Sequence, residues 1–513
     1  MSEQAGVLSG EDFVSTERLM GRSAQAAAAL AQAGVGAGDV VAILLRNDIP
    51  FFEAAFGAGL LGAIPVPINW HGSADEVRYV LDDSRAKLLV AHADLLAGVR
   101  DALPAGLAVR SVPTPAAIAD AYRVAPDACP VAGDDVAWAE WIERHEARPG
   151  TPAAAPWGLL YTSGTTGRPK GVRRAAGDPG DPAQARTLAA LLAAIGVEAG
   201  MRTVVTGPMY HTAPFTYGLQ VARLGGSIVL QPRFDAEQLL ALIERHAITH
   251  LHMVPTMFVR LLALDAATRA RYDTSSLRVV THAAAPCPPD VKRAMIEWWG
   301  PIVGEYYGGT ESGAVVACDS EQWLAHPGTV GKPIEGAIVR VYGEDGCVLG
   351  PGEIGDVYMR LTGLPDFEFH GRPEAKAEIE RDGLVTCGDV GYQDEEGFLY
   401  LCDRRRDMII SGGVNVYPAE IEACLQQLEG VRDCAVFGIP DREFGESIAA
   451  IVEPEPGATL REQDVVAHVR ARLAGFKAPK HVEFRAELPR EDSGKIFKRK
   501  LRDPFWAATG RSI

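Results

Sequence analysis

The chain has 513 residues, 23% of them charged and 47% hydrophobic, with 67 acidic against 50 basic side chains and a net charge of −17. At roughly 150 residues per domain this length holds about three cores, or two if one is built from fused subdomains, and the composition is that of a folded globular protein. A surface this acidic repels polyanions, which argues against nucleic-acid binding as the main activity and leaves small anions held in a pocket open.

In chain order, Met1 to Asp12 carries Glu3, Glu11 and Asp12 with no basic stretch leading into an apolar one, so no targeting segment is expected and the protein is expected in the cytoplasm. Short β-branched runs at 40–45, 64–68 and 87–91 read as strands. The longest nonpolar run, 54–68, contains Pro65 and Pro67 and falls short of the roughly 18 apolar residues a spanning helix needs. It reads as buried core. Ser73-Ala-Asp-Glu76 is a capping box that starts a helix, because hydroxyl and carboxylate satisfy orphan amides reciprocally.

Further strands are predicted at 158–161, 203–206, 227–230, 249–254, 277–281 and 302–306, with helices over 235–246 and 288–299. The alternation predicts an α/β fold whose large N-terminal domain is built of parallel-rich, helix-covered sheets. From about 326 to 402, short β runs broken by Gly and Pro predict a small antiparallel or β-barrel-like subdomain. Beyond the charged run 403–407 the pattern becomes a small α+β unit: helices near 418–428 and 461–473, strands near 434–438 and 448–453. The expected domains are therefore 1–402 and 403–513. Eight cysteines without a C-x-x-C pair support neither a disulfide framework nor a zinc site.

The most informative segment is Tyr161-Thr-Ser-Gly-Thr-Thr-Gly-Arg-Pro-Lys-Gly171. Gly164, Gly167 and Gly171 let backbone amides turn toward an anion, the hydroxyls of Thr162, Ser163, Thr165 and Thr166 add donors, and Lys170 adds charge. Together they make a phosphate cradle; a plain Gly/Thr hairpin turn is the simpler alternative. The Walker spacing is absent.

This segment resembles the signature loop of the adenylate-forming superfamily, which includes acyl- and aryl-CoA ligases, luciferase and peptide-synthetase adenylation domains. Companion motifs follow in family order: Tyr210-His-Thr-Ala-Pro214, Tyr306-Tyr-Gly-Gly-Thr-Glu311, Thr386-Cys-Gly-Asp389, Asp403-Arg-Arg-Arg-Asp407, Ser411-Gly-Gly-Val-Asn-Val-Tyr-Pro-Ala-Glu420 and Ser493-Gly-Lys495. The text most resembles bacterial fatty-acid–CoA ligases. The resemblance implies ATP and coenzyme A as co-substrates with Mg²⁺, Glu311 as the metal ligand and Thr310 as a phosphate contact. It also implies Tyr307 stacked on adenine opposite Ala284 and Ala285, Asp389 on the ribose hydroxyls, and Arg404 on the nucleotide near the domain junction. Lys495 would reach in from a mobile small domain during adenylation. That domain would turn about Arg406 to present Ser411, Gly412 and Gly413 to the CoA thiol, with His211 near the phosphates and the mouth of the CoA tunnel.

The acyl pocket implied by the resemblance draws on His211, Phe215, His252, Ala283, Gly308 and Gly309. Gly309 stands where many relatives carry Met or Leu, which predicts extra room for a long or bulky acid. No Asp or Glu stands out there to pair with an amino group, so an apolar acid, fatty or alicyclic and steroid-like, is expected. Aromatic acids, and loading of a carrier protein in place of CoA, are the alternatives; a catalytically dead nucleotide binder is the third. The partners implied are the acid, ATP and CoA, with no nucleic acid and no membrane span, and a homodimer as the candidate assembly.

Overall fold

A computed structural model describes residues 5–148, 158–162, 169–175, 177–178, 180–404, 407–411, 414–441, 444–490 and 496–507. The nine strands expected before residue 310 all form. Val40–Leu44, Ile64–Pro67, Ala86–His92 and the unforeseen Ala108–Val112 make one parallel sheet. Ile64–Pro67 lies at its edge. Ile64 and Ile68 donate their amides across to the neighbouring strand. Pro65 and Pro67, alternating with them, put their missing donors on the outer side, where no ladder bond is lost.

A larger sheet of nine strands has a parallel centre running Gly6–Ser9, Ser227–Leu230, Arg202–Val205, His250–Met253, Val279–His282 and Val303–Gly309. Antiparallel strands extend it at both ends, Asp12–Ser15 beside Gly6–Ser9 and Gly313–Cys318 beside Val303–Gly309. The capping box at Ser73 opens the helix Ala74–Ser84, with both reciprocal bonds present. Asp235 caps Ala236–His246, and Pro289–Trp299 is helical as the periodicity requires.

A three-stranded antiparallel sheet, Leu159–Thr162, Lys170–Arg174 and Phe367–Phe369, carries the phosphate-loop motif. Residues 337–404 supply an antiparallel sheet of five strands in which Leu399–Arg404 branches from Leu384–Gln393. Farther on, Ile409–Ser411, Val414–Val416, Val431–Asp441, Gly445–Pro454 and His481–Phe484 form the last sheet, with helices Pro418–Leu425, Glu462–Arg472 and Lys498–Trp506. The apolar clusters of this last unit draw only on residues from Ile409 onward, so it has a core of its own. Among the described residues no helix is long and apolar enough to cross a membrane, and no disulfide joins any of the eight cysteines.

Candidate active site

The phosphate-loop motif sits on a hairpin because β-branched and apolar residues flank the glycines. Leu159–Thr162 and Lys170–Arg174 pair antiparallel, with Thr162 opposite Lys170 and Tyr161 opposite Gly171. A Cβ on Gly171 would come within 2.8 Å of Leu159 Cδ1 and 3.1 Å of Tyr161 Cζ, so glycine is needed there for the strands to close. Both ends of the loop are tied to the helix Ala74–Ser84. Tyr161 Oη donates to Asp83 Oδ2 at 2.7 Å, and Tyr79 Oη donates to the Pro169 carbonyl at 3.0 Å. Arg372 adds a 2.6 Å bond to Tyr79 Oη. Burial, with Asp83 as hydrogen-bond partner, pushes the Tyr161 phenol well up. Lys170 Nζ lies 3.8 Å from Glu378 Oε2 and 5.3 Å over the Phe369 ring.

The Thr310-Glu311 turn joins Val303–Gly309 to Gly313–Cys318. At Gly308 a Cβ would fall 1.8 Å from the Gly313 carbonyl oxygen, a collision with backbone that leaves glycine the only residue the bulge accepts. Ser312 Oγ accepts the Gly309 amide at 2.9 Å and fixes the turn from inside. Thr310 Oγ1 is 2.7 Å from Thr212 Oγ1. Thr212 is the first residue of the helix Thr212–Arg223, whose N-cap is His211. A helix N-terminus with two hydroxyls beside it favours an anion through its amides and its dipole. Tyr307 Oη donates to Asp389 Oδ2 at 2.6 Å. The phenol and the carboxylate are thereby fixed relative to each other, although 82 residues separate them in sequence. Asp389 stands opposite Arg404 in the antiparallel register, which brings the backbone of the two motifs together.

Three supports were invisible in the motifs. Asn47, 2% exposed at the end of a parallel strand, donates from Nδ2 to the Gly207 carbonyl and accepts the Met209 amide at Oδ1, both at 2.9 Å. It thus fixes the loop leading into His211. Arg174 donates from Nη1 to the Pro365 carbonyl at 3.0 Å and from Nη2 to the Glu311 carbonyl. The Tyr79, Asp83 and Arg372 group is the third. A polar run directly after an apolar strand, as in "LLRND", was the one available signal, since ligands gather at the carboxyl ends of parallel strands.

Of the expected nucleotide residues, Thr162, Lys170, Ala284, Ala285, Tyr307, Thr310, Glu311 and Asp389 are described. Ser163, Gly164, Thr165, Thr166, Gly167, Arg406, Gly412, Gly413, Lys495 and the side chain of Arg404 lie outside the described residues. Ser411 ends the short strand Ile409–Ser411. Ala284 has φ of +74°, a left-handed backbone in a residue with a Cβ.

Three residues expected in the acyl pocket have close packing neighbours. Phe215 is 2% exposed and packs edge-on against Phe51, with ring centroids 6.0 Å apart. It belongs to the core between the two large sheets. His252 is enclosed by Tyr217 and Tyr306, its Nε2 2.8 Å from Tyr306 Oη, and burial lowers its pKa to about 4. Burial disfavours the charged imidazole there. Gly309 leaves no void on its Cβ side, because an added Cβ would lie 2.5 Å from Cys387 Sγ and 3.2 Å from Glu311 Oε2.

A hairpin that carries the ends of the phosphate-loop motif, a threonine pair at a helix N-terminus and a phenol-carboxylate pair lie on the sheets and helices ahead of a unit with a core of its own. The profile of the AMP-binding enzyme family matches residues 6–364, and that of the AMP-binding enzyme C-terminal domain matches 420–495. The chain belongs to the AMP-binding enzyme family. It is 35% identical over 489 residues to a feruloyl-CoA synthase of Amycolatopsis sp, covering 94% of this chain and 92% of that protein. Identity is also 35% over 520 residues to the 3-[(3aS,4S,7aS)-7a-methyl-1,5-dioxo-octahydro-1H-inden-4-yl]propanoyl:CoA ligase of Rhodococcus jostii, covering 98% and 96%. Among solved structures, the anthranilate CoA ligase AuaEII in complex with anthranoyl-AMP superposes with a TM-score of 0.84 at 25% identity, covering 99% of this chain and 95% of that one. The expectation of an AMP-forming acid–CoA ligase agrees with these relatives.

Proposed function

We propose that this protein activates an apolar carboxylic acid, fatty or bulky alicyclic, to acyl-AMP and passes the acyl group to coenzyme A, with 1–402 and 403–513 acting as large and small domains. The observation that supports the reading is the direct bonding of Tyr307 to Asp389 and of Thr310 to Thr212, which brings residues of the 210–214, 306–311 and 386–389 motifs into contact. Its eight cysteines, none in a disulfide, suit a reducing compartment, so we place it in the cytoplasm.

In the first half-reaction a carboxylate oxygen attacks the α-phosphorus of ATP, the bond to the bridging oxygen breaks, and pyrophosphate leaves. Both reactants are anionic, so the protein must supply donors and cations where charge develops. Lys170 and the 162–167 loop would hold the distal phosphates, and Thr310 with the Thr212–Arg223 N-terminus would hold the phosphate under attack. Tyr307 would stack on adenine, its ring orientation already set by Asp389, whose second oxygen and backbone neighbours would receive the ribose hydroxyls. Ala284 and Ala285 would form the facing wall.

Among the described residues no group of three or more His, Cys, Asp or Glu side chains gathers to bind a metal. A cation that shares one carboxylate with substrate oxygens has the donor set Mg²⁺ prefers, and Glu311, flanked by the hydroxyls of Thr310 and Ser312, fits it. Mg²⁺ held there would offset phosphate charge. In the second half-reaction the CoA sulfur attacks the acyl carbonyl and AMP departs. For this the small domain would turn about Arg406, withdrawing Lys495 and bringing Ser411 to Gly413 to the thiol's approach.

A pyrophosphate-release screen over fatty, alicyclic and aromatic acids, with and without CoA, tests the reading. The expected result is release with apolar acids and turnover that continues only when CoA is present. Release that CoA never accelerates points to a carrier-protein acceptor, and no release with any acid overturns the proposal.

A further inference from the structure

We infer that Arg174 is a positioning residue that holds the Thr310-Glu311 turn in register with the phosphate-loop hairpin; this rests on Glu311 being the Mg²⁺ ligand. Arg174 ends the strand that leaves the loop, and period-2 alternation puts it on the same face as Lys170. Its guanidinium donates to two main-chain carbonyls, those of Glu311 and Pro365, and lies 5.9 Å from the Phe367 ring centroid. Among the described residues no carboxylate lies within salt-bridge distance of it, and the Asp366 and Glu311 carboxylates act on it from farther away.

The Asp366 and Glu311 carboxylates act on the guanidinium without bonding to it, and the hydrogen bonds it makes go to main chain, so its contacts here are geometric. The carbonyl it holds belongs to Glu311 itself. The Glu311 turn is then fixed from inside by Ser312 Oγ and from outside by Arg174, and the outside contact is carried by the same strand that carries Lys170. The cradle for the phosphates and the carboxylate for their cation are 137 residues apart in sequence at this contact. They must nevertheless keep a fixed spacing for one metal–nucleotide complex to meet both. A forked, planar donor can span two carbonyls at once, whereas the single ammonium of a lysine cannot keep that geometry.

A purely structural role predicts lower stability with unaltered metal dependence; the positioning role predicts altered metal dependence. The test is calorimetric binding of ATP with Mg²⁺ and of AMP without it, on Arg174→Met and Arg174→Lys, at a temperature where both are folded by circular dichroism. The expected result is AMP affinity within about twofold of wild type and Mg²⁺–ATP affinity at least about tenfold weaker, for Lys as well as for Met. Parallel loss of both ligands, no loss of either, or full retention by Arg174→Lys overturns the inference. Glu311→Gln separates it from the reading beneath it. If that variant keeps Mg²⁺-dependent ATP binding, the metal assignment fails; if it loses it while the Arg174 variants do not, only the Arg174 role fails.

Discussion

Replacing Gly309 by alanine probes the point where the Glu311 carboxylate, the turn and the Cys387 thiol meet. The new Cβ would sit 2.5 Å from Cys387 Sγ, 3.2 Å from Glu311 Oε2 and 3.8 Å from Cys387 Cβ. The last distance is ordinary contact, so the sulfur must rotate away or the Glu311 turn must give. Overpacking of this kind costs about 1–3 kcal/mol. Borne by the turn, it lowers adenylation by roughly 5- to 150-fold, at about 1.4 kcal/mol per factor of ten. Cys387→Ala removes the clashing atom, so the double variant is expected to recover most of the loss, with a coupling of at least about 1 kcal/mol between neighbouring sites. The assay is ATP–pyrophosphate exchange at saturating acid, for the wild type, both single variants and the double, across acids of increasing length. Additive losses, or an unchanged rate on short acids with rejection of long ones, would refute the reasoning and restore Gly309 as a pocket wall.

Lys495→Ala is expected to block acyl-AMP formation while sparing thioester formation from supplied acyl-AMP; equal loss in the two half-reactions removes the assigned role. Ala284→Gly relieves a left-handed backbone at φ of +74° and should raise unfolding stability by about 1 kcal/mol in urea titrations, whereas a lower midpoint contradicts the strain. His252 titrates near pH 4 when folded and at 6.5 when exposed, so the unfolded chain binds the extra proton between those values. Stability is full above pH 6.5 and falls by about 3 kcal/mol as the pH drops toward 4. His282, enclosed and also held neutral by burial, adds to the slope. The pH dependence of unfolding in His252→Gln should therefore be shallower by about one proton than in the wild type, and an identical slope counts against a buried neutral imidazole.

The parallel strands were legible because their apolar runs are buried on both faces and their boundaries carry Gly, Pro or caps. The strand Gly6–Ser9 near the first edge was not. Gly6–Ser9 finds its parallel partner at Ser227–Leu230, and nothing local in so short a run specifies a partner that distant. The last helix was hidden for a different reason. Lys498–Trp506 contains Pro504 and reads as a basic tail, yet Lys498 lies 2.7 Å from the half-buried Glu422 and Trp506 Nε1 donates to the Gly438 carbonyl. Tertiary contacts supply what propensity lacks.

At the site, the motifs singled out Tyr307, Thr310, Glu311 and Asp389, and the structure adds two contacts that spacing did not foretell, Tyr307 with Asp389 and Thr310 with Thr212. Motif adjacency did not give side-chain direction. Phe215 follows His211 by one helical turn, but the helix turns that ring into the core against Phe51. Asn47, Asp83 and Arg174 act through contacts spanning between 78 and 191 residues of sequence, a separation at which one sequence by itself carries no pairing signal.

The central claim is that the protein joins an apolar acid to CoA through acyl-AMP. Products formed from ATP, Mg²⁺, CoA and the best acid of the screen can be quantified by mass spectrometry. The account predicts AMP, pyrophosphate and acyl-CoA in equal amounts, with acyl-AMP accumulating when CoA is withheld. Formation of ADP and phosphate, or acyl-CoA without AMP, would contradict it.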